Sequence, residues 1–191
     1  MANKFELFVE TFKPSSGLVK PDKKTIKQVE KILPVEIIEF WHEFGFGNYA
    51  DGLIKIINPL DYIDSLYEWL GRKDKSKLPV ATTGFGDIFY YLKLADGEED
   101  ISFLNIHYRK IDVCVYNLNE FFNSYIVDEG IINEMLKKEL FDEALKKKGD
   151  LNYDEIYYFV PALIMGGGED IKYIDKGIGT VHQSILFQMG K

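Results

Sequence analysis

Four β-prone runs follow one another in the middle of the chain: Leu78 to Thr83, Asp87 to Leu94, Ile101 to Ile106 and Ile111 to Tyr116. The segments between them, Gly84-Phe85-Gly86, Asp96-Gly97-Glu98-Glu99-Asp100 and His107-Tyr108-Arg109-Lys110, have hairpin length. Parallel neighbours need a crossover of about a dozen residues or more, so this stretch is restricted to an antiparallel meander. Such a sheet has apolar faces to bury, and the remaining sequence must supply the helices that cover them.

Phe5, Phe8, Val9 and Phe12 fall at i, i+3, i+4 and i+7 and make one apolar helix face, which Lys13-Pro14-Ser15 ends. A polar segment, Pro21 to Lys31, leads to Leu33-Pro34, where the proline suits a first helical turn. Ile37, Ile38, Trp41 and Phe44 then repeat at helical spacing until Gly45 and Gly47. Leu53 to Ile57 reads as a short strand. Asn58-Pro59 has the form of an N-cap followed by a first-turn proline, opening a helix with Leu60, Ile63, Tyr67 and Leu70 on one side.

Beyond the meander, Leu118 to Ile126 reads as helical. A longer helix is expected from Ile131 to Lys148, with Ile132, Leu136, Leu140 and Ala144 four apart, a lysine run at its end and Gly149 as its cap. Tyr157 to Met165 and Ile171 to Tyr173 are apolar or β-prone, and Val181 to Met189 fits a closing helix. The class is α+β: helices packed on a mainly antiparallel sheet, in a single compact unit built from two halves. With 46% hydrophobic and 15% aromatic content over 191 residues, the chain can bury a substantial core.

Several functional classes find no support. The opening Met1-Ala2-Asn3-Lys4 runs straight into an amphipathic pattern without the features of a secretory signal, so a cytoplasmic location is expected. The longest apolar runs are far short of the roughly 20 residues of a membrane span. The single cysteine, Cys114, sits in a strand pattern and is expected to be a buried, inert thiol. His42, His107 and His182 are widely separated and form no metal-ligand motif, and no cofactor is expected. No nucleophile motif is present, and Gly166-Gly167-Gly168 lacks the ending of a phosphate-binding loop; it reads as a tight turn or close backbone contact. Gly84-Phe85-Gly86-Asp87 reads as a kinked strand entry in which the aspartate bonds nearby backbone amides. No carboxylate pair stands out, so no enzyme is expected, and a hydrolase would have to work through groups such as Asp87 or Asp154.

The net charge of -8 disfavours nucleic acid and favours encounter with basic partners. Residues 1–50 carry seven bases and seven acids, residues 51–100 six bases and ten acids, so the excess begins after the first helices.

Ordered motifs along almost the whole chain resemble bacterial immunity proteins that join an N-terminal GAD-like domain to a C-terminal immunity domain and are paired with type VI secreted DNase toxins. They are Phe5-x-x-Phe8-x-x-x-Phe12-x-Pro14-Ser15, Leu33-Pro34 with Phe40-Trp41 and Gly45-x-Gly47, Tyr49-x-Asp51-Gly52 and Asn58-Pro59. Thr83-Gly84-Phe85-Gly86-Asp87, Leu140-Phe141-x-x-Ala144, Asp154-Glu155-x-Tyr157, Phe159-Val160-Pro161-Ala162-Leu163 and Gly166-Gly167 follow. The helix running from Leu33-Pro34 through Phe40-Trp41 to Gly45 is more distantly similar to the opening of the Smi1/Knr4-like nuclease-immunity folds. Two departures are Gly84, where the family more often has alanine, and Tyr158, where a glycine is usual.

The resemblance implies a GAD-like region at 1–106 and an immunity region at 107–191 that share one core. It also implies a cytoplasmic, non-enzymatic antidote that binds a basic nuclease toxin, with neither nucleic acid nor membrane as a direct partner. An alternative is a small-molecule-binding or regulatory module using the glycine turns. The residues expected to meet a partner are Asp96, Glu98, Glu99 and Asp100 of the acidic turn and Asp87, with Phe85, Tyr90 and Tyr91 as anchors. Against this stands a solvated hairpin tip over core aromatics.

Overall fold

The computed structural model describes residues 4–190, apart from the side chain of Asp96. Six strands form one sheet in sequence order, each antiparallel to its neighbours: β1 (Gly47–Tyr49), β2 (Ile54–Ile56), β3 (Lys77–Thr83), β4 (Ile88–Lys93), β5 (Glu99–Asn105) and β6 (Lys110–Val115). The meander is therefore as expected. β1 adds a strand too short for its sequence to announce.

α1 (Glu6–Thr11), α2 (Lys23–Val29) and α3 (Val35–Glu43) precede the sheet, and α4 (Pro59–Leu70) joins β2 to β3. After β6 come α5 (Leu118–Glu120), which runs into a π-helical turn at Phe121–Tyr125, then α6 (Glu129–Glu134) and α7 (Lys138–Lys148). The chain continues through the hairpin β7 (Glu155–Phe159) and β8 (Ile174–Ile178) to α8 (Gly179–Met189).

Alternation along β4 divides the interior. Phe89 and Tyr91 enter the larger core, whereas Ile88 and Tyr90 face the opposite side with Leu104. The larger core takes up the Phe repeat of α1: Phe5 and Phe8 meet Phe40 and Phe122 with ring centroids 4.5 to 5.8 Å apart. Such pairs contribute about 0.5–1.5 kcal/mol each beyond the area they bury. The opposite face is covered by α4 and α8, whose Leu66 and Leu186 join Ile88, Tyr90, Leu104 and Ile106.

α4 begins as its sequence requires, with Asn58 Oδ1 accepting from the Leu60 amide at 3.1 Å and Pro59 in the first turn, and it ends at Gly71 in the left-handed conformation. Its buried face is displaced from the expected one. Tyr62, Leu66 and Tyr67 are buried, while Leu60, Ile63 and Leu70 are half-buried, because the helix lies between the sheet and α8 instead of on a single flat surface.

Other expectations are corrected. Pro21 to Lys31 is not merely polar connection: Asp22 caps α2, accepting from the Thr25 amide at 2.6 Å, and Thr25 and Val29 are buried. The single helix from Ile131 to Lys148 is two helices. The break lies at Lys137, whose φ of 54° lets the chain turn while Leu136 and Phe141 both stay buried. A four-residue apolar spacing is continuous across that break and conceals it. Ile171–Tyr173 is a 3-10 turn before β8. Cys114 is half-buried on β6, and burial pushes its thiol up to about 11, which keeps it protonated at neutral pH. No helix among the described residues is long and apolar enough to cross a membrane.

Candidate partner-binding surface

The Gly84-Phe85-Gly86-Asp87 turn lies where the central sheet meets the C-terminal part of the chain. Each of its first three carbonyls is taken by a group from later in the sequence. Gly84 O accepts from the Tyr157 amide at 2.9 Å, Phe85 O lies 2.8 Å from His107 Nε2, and Gly86 O accepts from Gln183 Nε2 at 2.8 Å. Gln183 is held in turn by Ser65 Oγ, which donates to its Oε1 at 2.6 Å.

Asp87 bonds backbone as expected: Oδ1 accepts from the Ile106 amide at 2.9 Å. Burial pushes its carboxyl above the ordinary range, opposed first by His107. Phe85 stacks parallel to Phe159 with centroids 5.6 Å apart. Both Phe85 and Asp87 are buried, so their contacts are spent inside the fold.

The acidic turn is divided in the same way. Tyr91 and Tyr90 are buried on opposite faces of the sheet. Glu99 is half-buried, accepting from the Tyr91 hydroxyl at 2.7 Å and from the Leu118 amide at 2.9 Å. Asp100 is buried and accepts from Ser102 Oγ at 3.0 Å. Glu98 is exposed at the tip, and the side chain of Asp96 lies outside the described residues. Exposed apolar anchors and exposed acids therefore do not converge at this turn.

They converge around α8, to which none of the residues expected at the interface belongs. Val181, Ile185 and Met189 recur every four residues along α8 and are all exposed. With Val160, Ile164, Met165 and Ile178 they make seven of the fifteen exposed large apolar side chains among the described residues. Val160, Met165, Ile185 and Met189 line one groove, and apolar surface gathered in this way marks interaction sites far more often than scattered exposed leucines do.

On one flank of α8 lies an apolar groove of about 310 Å³, lined by Tyr158, Phe159, Val160, Pro161, Ala162, Met165, His182, Ile185, Leu186 and Met189. Its wall is shaped by Gly167, where an added Cβ would stand 1.9 Å from Pro161 O, so the glycine run closes the loop by backbone contact. Tyr158 lies flat on His182, ring centroids 3.6 Å apart, so the usual glycine of the resembled family is replaced here by part of the groove floor.

On the other flank, a cleft of about 750 Å³ runs between α8 and α4, lined by Asp61, Asp64, Glu68, Arg72 and Lys73 with Thr180 and Phe187. Partial desolvation by the neighbouring cleft wall holds the Asp61 carboxyl above its ordinary value although the residue is exposed, and the Asn58 side chain opposes it. α8 is held between the two by Arg109, whose guanidinium lies 5.1 Å from the Trp69 ring and donates to the carbonyls of Leu186 and Phe187 at 3.2 and 3.3 Å.

Burial lowers the basicity of His182 below the ordinary histidine value, with Asp175 opposing. The unfolded chain therefore takes up a proton at this site first as pH falls, and the site's contribution to stability is lost below about pH 6.5. Wild type should lose ground relative to His182→Phe when thermal unfolding is followed from pH 7 down to pH 5. A constant difference across that range would show that the ring is not held neutral by its surroundings.

No group of three or more metal-ligating side chains occurs among the described residues. The surface is suited to association.

Residues 3–104 match the GAD-like domain family, and residues 116–190 match the family described as T6SS immunity protein Tdi1, C-terminal. The structure of Atu4351 from Agrobacterium tumefaciens superposes with a TM-score of 0.79 at 16% sequence identity, covering 96% of this chain and 88% of that one. At this identity the likeness is one of fold. Curated proteins show no match to the chain. The α8 ridge and its apolar groove lie wholly within the immunity-matching segment, and the acids of α4 lie in the GAD-like one.

Proposed function

Because the chain belongs to the GAD-like domain family and its residues 116–190 match the family described as T6SS immunity protein Tdi1, C-terminal, we propose that it is an antidote that binds a cognate nuclease toxin in the cytoplasm. It covers the toxin's DNA-binding or catalytic surface and performs no chemistry of its own. The observation that carries this reading is the exposed apolar ridge and groove of α8, located in the immunity-matching segment. A specific interface of standard size needs about 800 Å² from each partner, with a few apolar or aromatic anchors near its centre. The ridge and groove supply those anchors.

Charge supports the choice of a nuclease. An enzyme that grips phosphates presents positive potential, and a partner of net charge -8 is steered towards it. Co-expression with the nuclease encoded beside it should restore growth to cells that the toxin alone kills. Cell death unchanged by co-expression, together with no complex on size-exclusion chromatography, rejects the proposal. The association rate should fall by about tenfold or more as salt is raised from low to physiological strength, with a much smaller change in dissociation. An association rate indifferent to salt would leave the antidote reading intact and reduce the charge to a solubilising coat.

A further inference from the structure

We propose, resting on that reading, that the toxin is held by a two-part anchor astride α8. An aliphatic or aromatic side chain of the toxin enters the apolar groove, and a lysine or arginine of the toxin enters the acidic cleft against α4.

The groove and the cleft are separate and chemically unlike, and α8 is the wall common to both. On the groove side, Met165 and Ile185 stand at the rim, 64% and 39% exposed, and no charged residue lines the floor. An apolar side chain seated there exchanges water for carbon on nearly every side.

On the cleft side, Asp61, Asp64 and Glu68 are spaced i, i+3 and i+7, so they share one face of α4. Asp61 and Asp64 are exposed and Glu68 is half-exposed. None of the three is ion-paired with a lysine or arginine among the described residues, whereas Glu169, Asp142 and Asp74 all are. Arg72 at the end of the cleft is directed to Asp74, at 3.6 Å. Lys73 also lines the cleft, so three carboxylates face two cations and the excess negative charge lies along α4 beside an apolar groove. The complementary partner carries the reverse, positive charge beside an apolar side chain. The width of a helix sets their separation at about 10–12 Å. A DNA-gripping surface is rich in cationic groups of this kind.

The test uses the full chain and the neighbouring toxin inactivated by a substitution in its catalytic centre, with association and dissociation followed by surface-based kinetics. Ile185→Glu and Met165→Glu each should raise the dissociation rate about tenfold or more, since either puts a charge at the rim of a desolvated anchor. Asp61→Lys with Asp64→Lys should slow association several-fold and flatten its salt dependence. Glu98→Lys, at the tip of the β4–β5 turn, should change neither.

Both rim side chains are exposed, and circular dichroism with thermal unfolding checks that each variant is folded. If Ile185→Glu nonetheless unfolds, Met165→Glu on the loop decides alone. Wild-type kinetics in both groove variants, or loss confined to Glu98→Lys, overturns the two-part anchor and leaves the antidote reading standing. Failure of the wild-type chain to bind the toxin overturns both.

Discussion

Replacing Lys55 by methionine should lower the free energy of unfolding by about 3–5 kcal/mol, the range found when one side of a buried charged network is removed. Lys55 lies on β2 with no exposed surface, and its ammonium donates to the carbonyls of Asn152 at 2.8 Å, Tyr153 at 3.1 Å and Glu155. Burial draws its pKa down to about 7, with Asp154 and Glu155 opposing. Three carbonyls matched to three N–H groups suit the ammonium, which has three donors where the neutral amine has two.

Methionine keeps much of the side-chain volume but leaves all three carbonyls without this donor, and unpaired buried polar groups cost about 1–3 kcal/mol each when water cannot replace the lost bond. A single domain has only about 5–15 kcal/mol in total, so the loss is large. Denaturant titration should show an earlier midpoint with an unchanged slope and a single transition, because the cage ties residues 152–155 to the central sheet. A midpoint within experimental error of wild type would mean that water or another donor satisfies the loop. A second transition would mean that Lys55 couples two separately folding parts.

Gly84→Ala should destabilise by about 1–3 kcal/mol through overpacking, although alanine is the commoner residue at this position in the resembled family. A Cβ built on Gly84 would stand 2.5 Å from Phe141 Cε2 and 2.8 Å from Gly52 O. Here Phe141 of α7 occupies the space that a methyl group would take. Phe141→Leu in the Gly84→Ala background should therefore recover part of the loss, and the two changes should be strongly non-additive in a double-mutant cycle. The approach to Gly52 O is backbone and cannot be relieved in this way, so recovery should be incomplete. Additive effects would remove the steric account of this departure.

These two positions mark how far the sequence was legible. The strands of the meander, the Asn58-Pro59 helix start, the backbone bonding of Asp87 and the closing helix all came from short patterns, because capping, turn length and strand alternation are local properties of the backbone. What was missed had no local signal. The apolar spacing from Ile132 to Ala144 continues across a left-handed residue at Lys137, and Lys55 in the run Leu53-Ile54-Lys55-Ile56-Ile57 looks like an ordinary charged strand residue until the distant Asn152–Glu155 loop is laid over it.

The candidate surface shows the same limit. Around the acidic turn, the nearness in sequence of Phe85, Tyr90, Tyr91, Glu99 and Asp100 suggested one exposed cluster, but strand alternation and hydrogen bonding send most of them into the protein. Val181, Ile185 and Met189 were legible as a helix pattern, and an apolar stripe on a helix ordinarily marks the side that packs inward. In this fold α8 packs through Gln183 and Leu186, and the stripe faces outward.

The sequence by itself determined an acidic α+β chain built on an antiparallel meander, because strand pairing over short connections and net charge depend on residues near one another in the chain or on their sum alone. Only the tertiary structure decided which acids are left without a cation and which apolar side chains are left without a core. Both depend on what lies across space, and for α8 that is set by α4, Arg109 and the Pro161 loop, none of them adjacent to it in sequence.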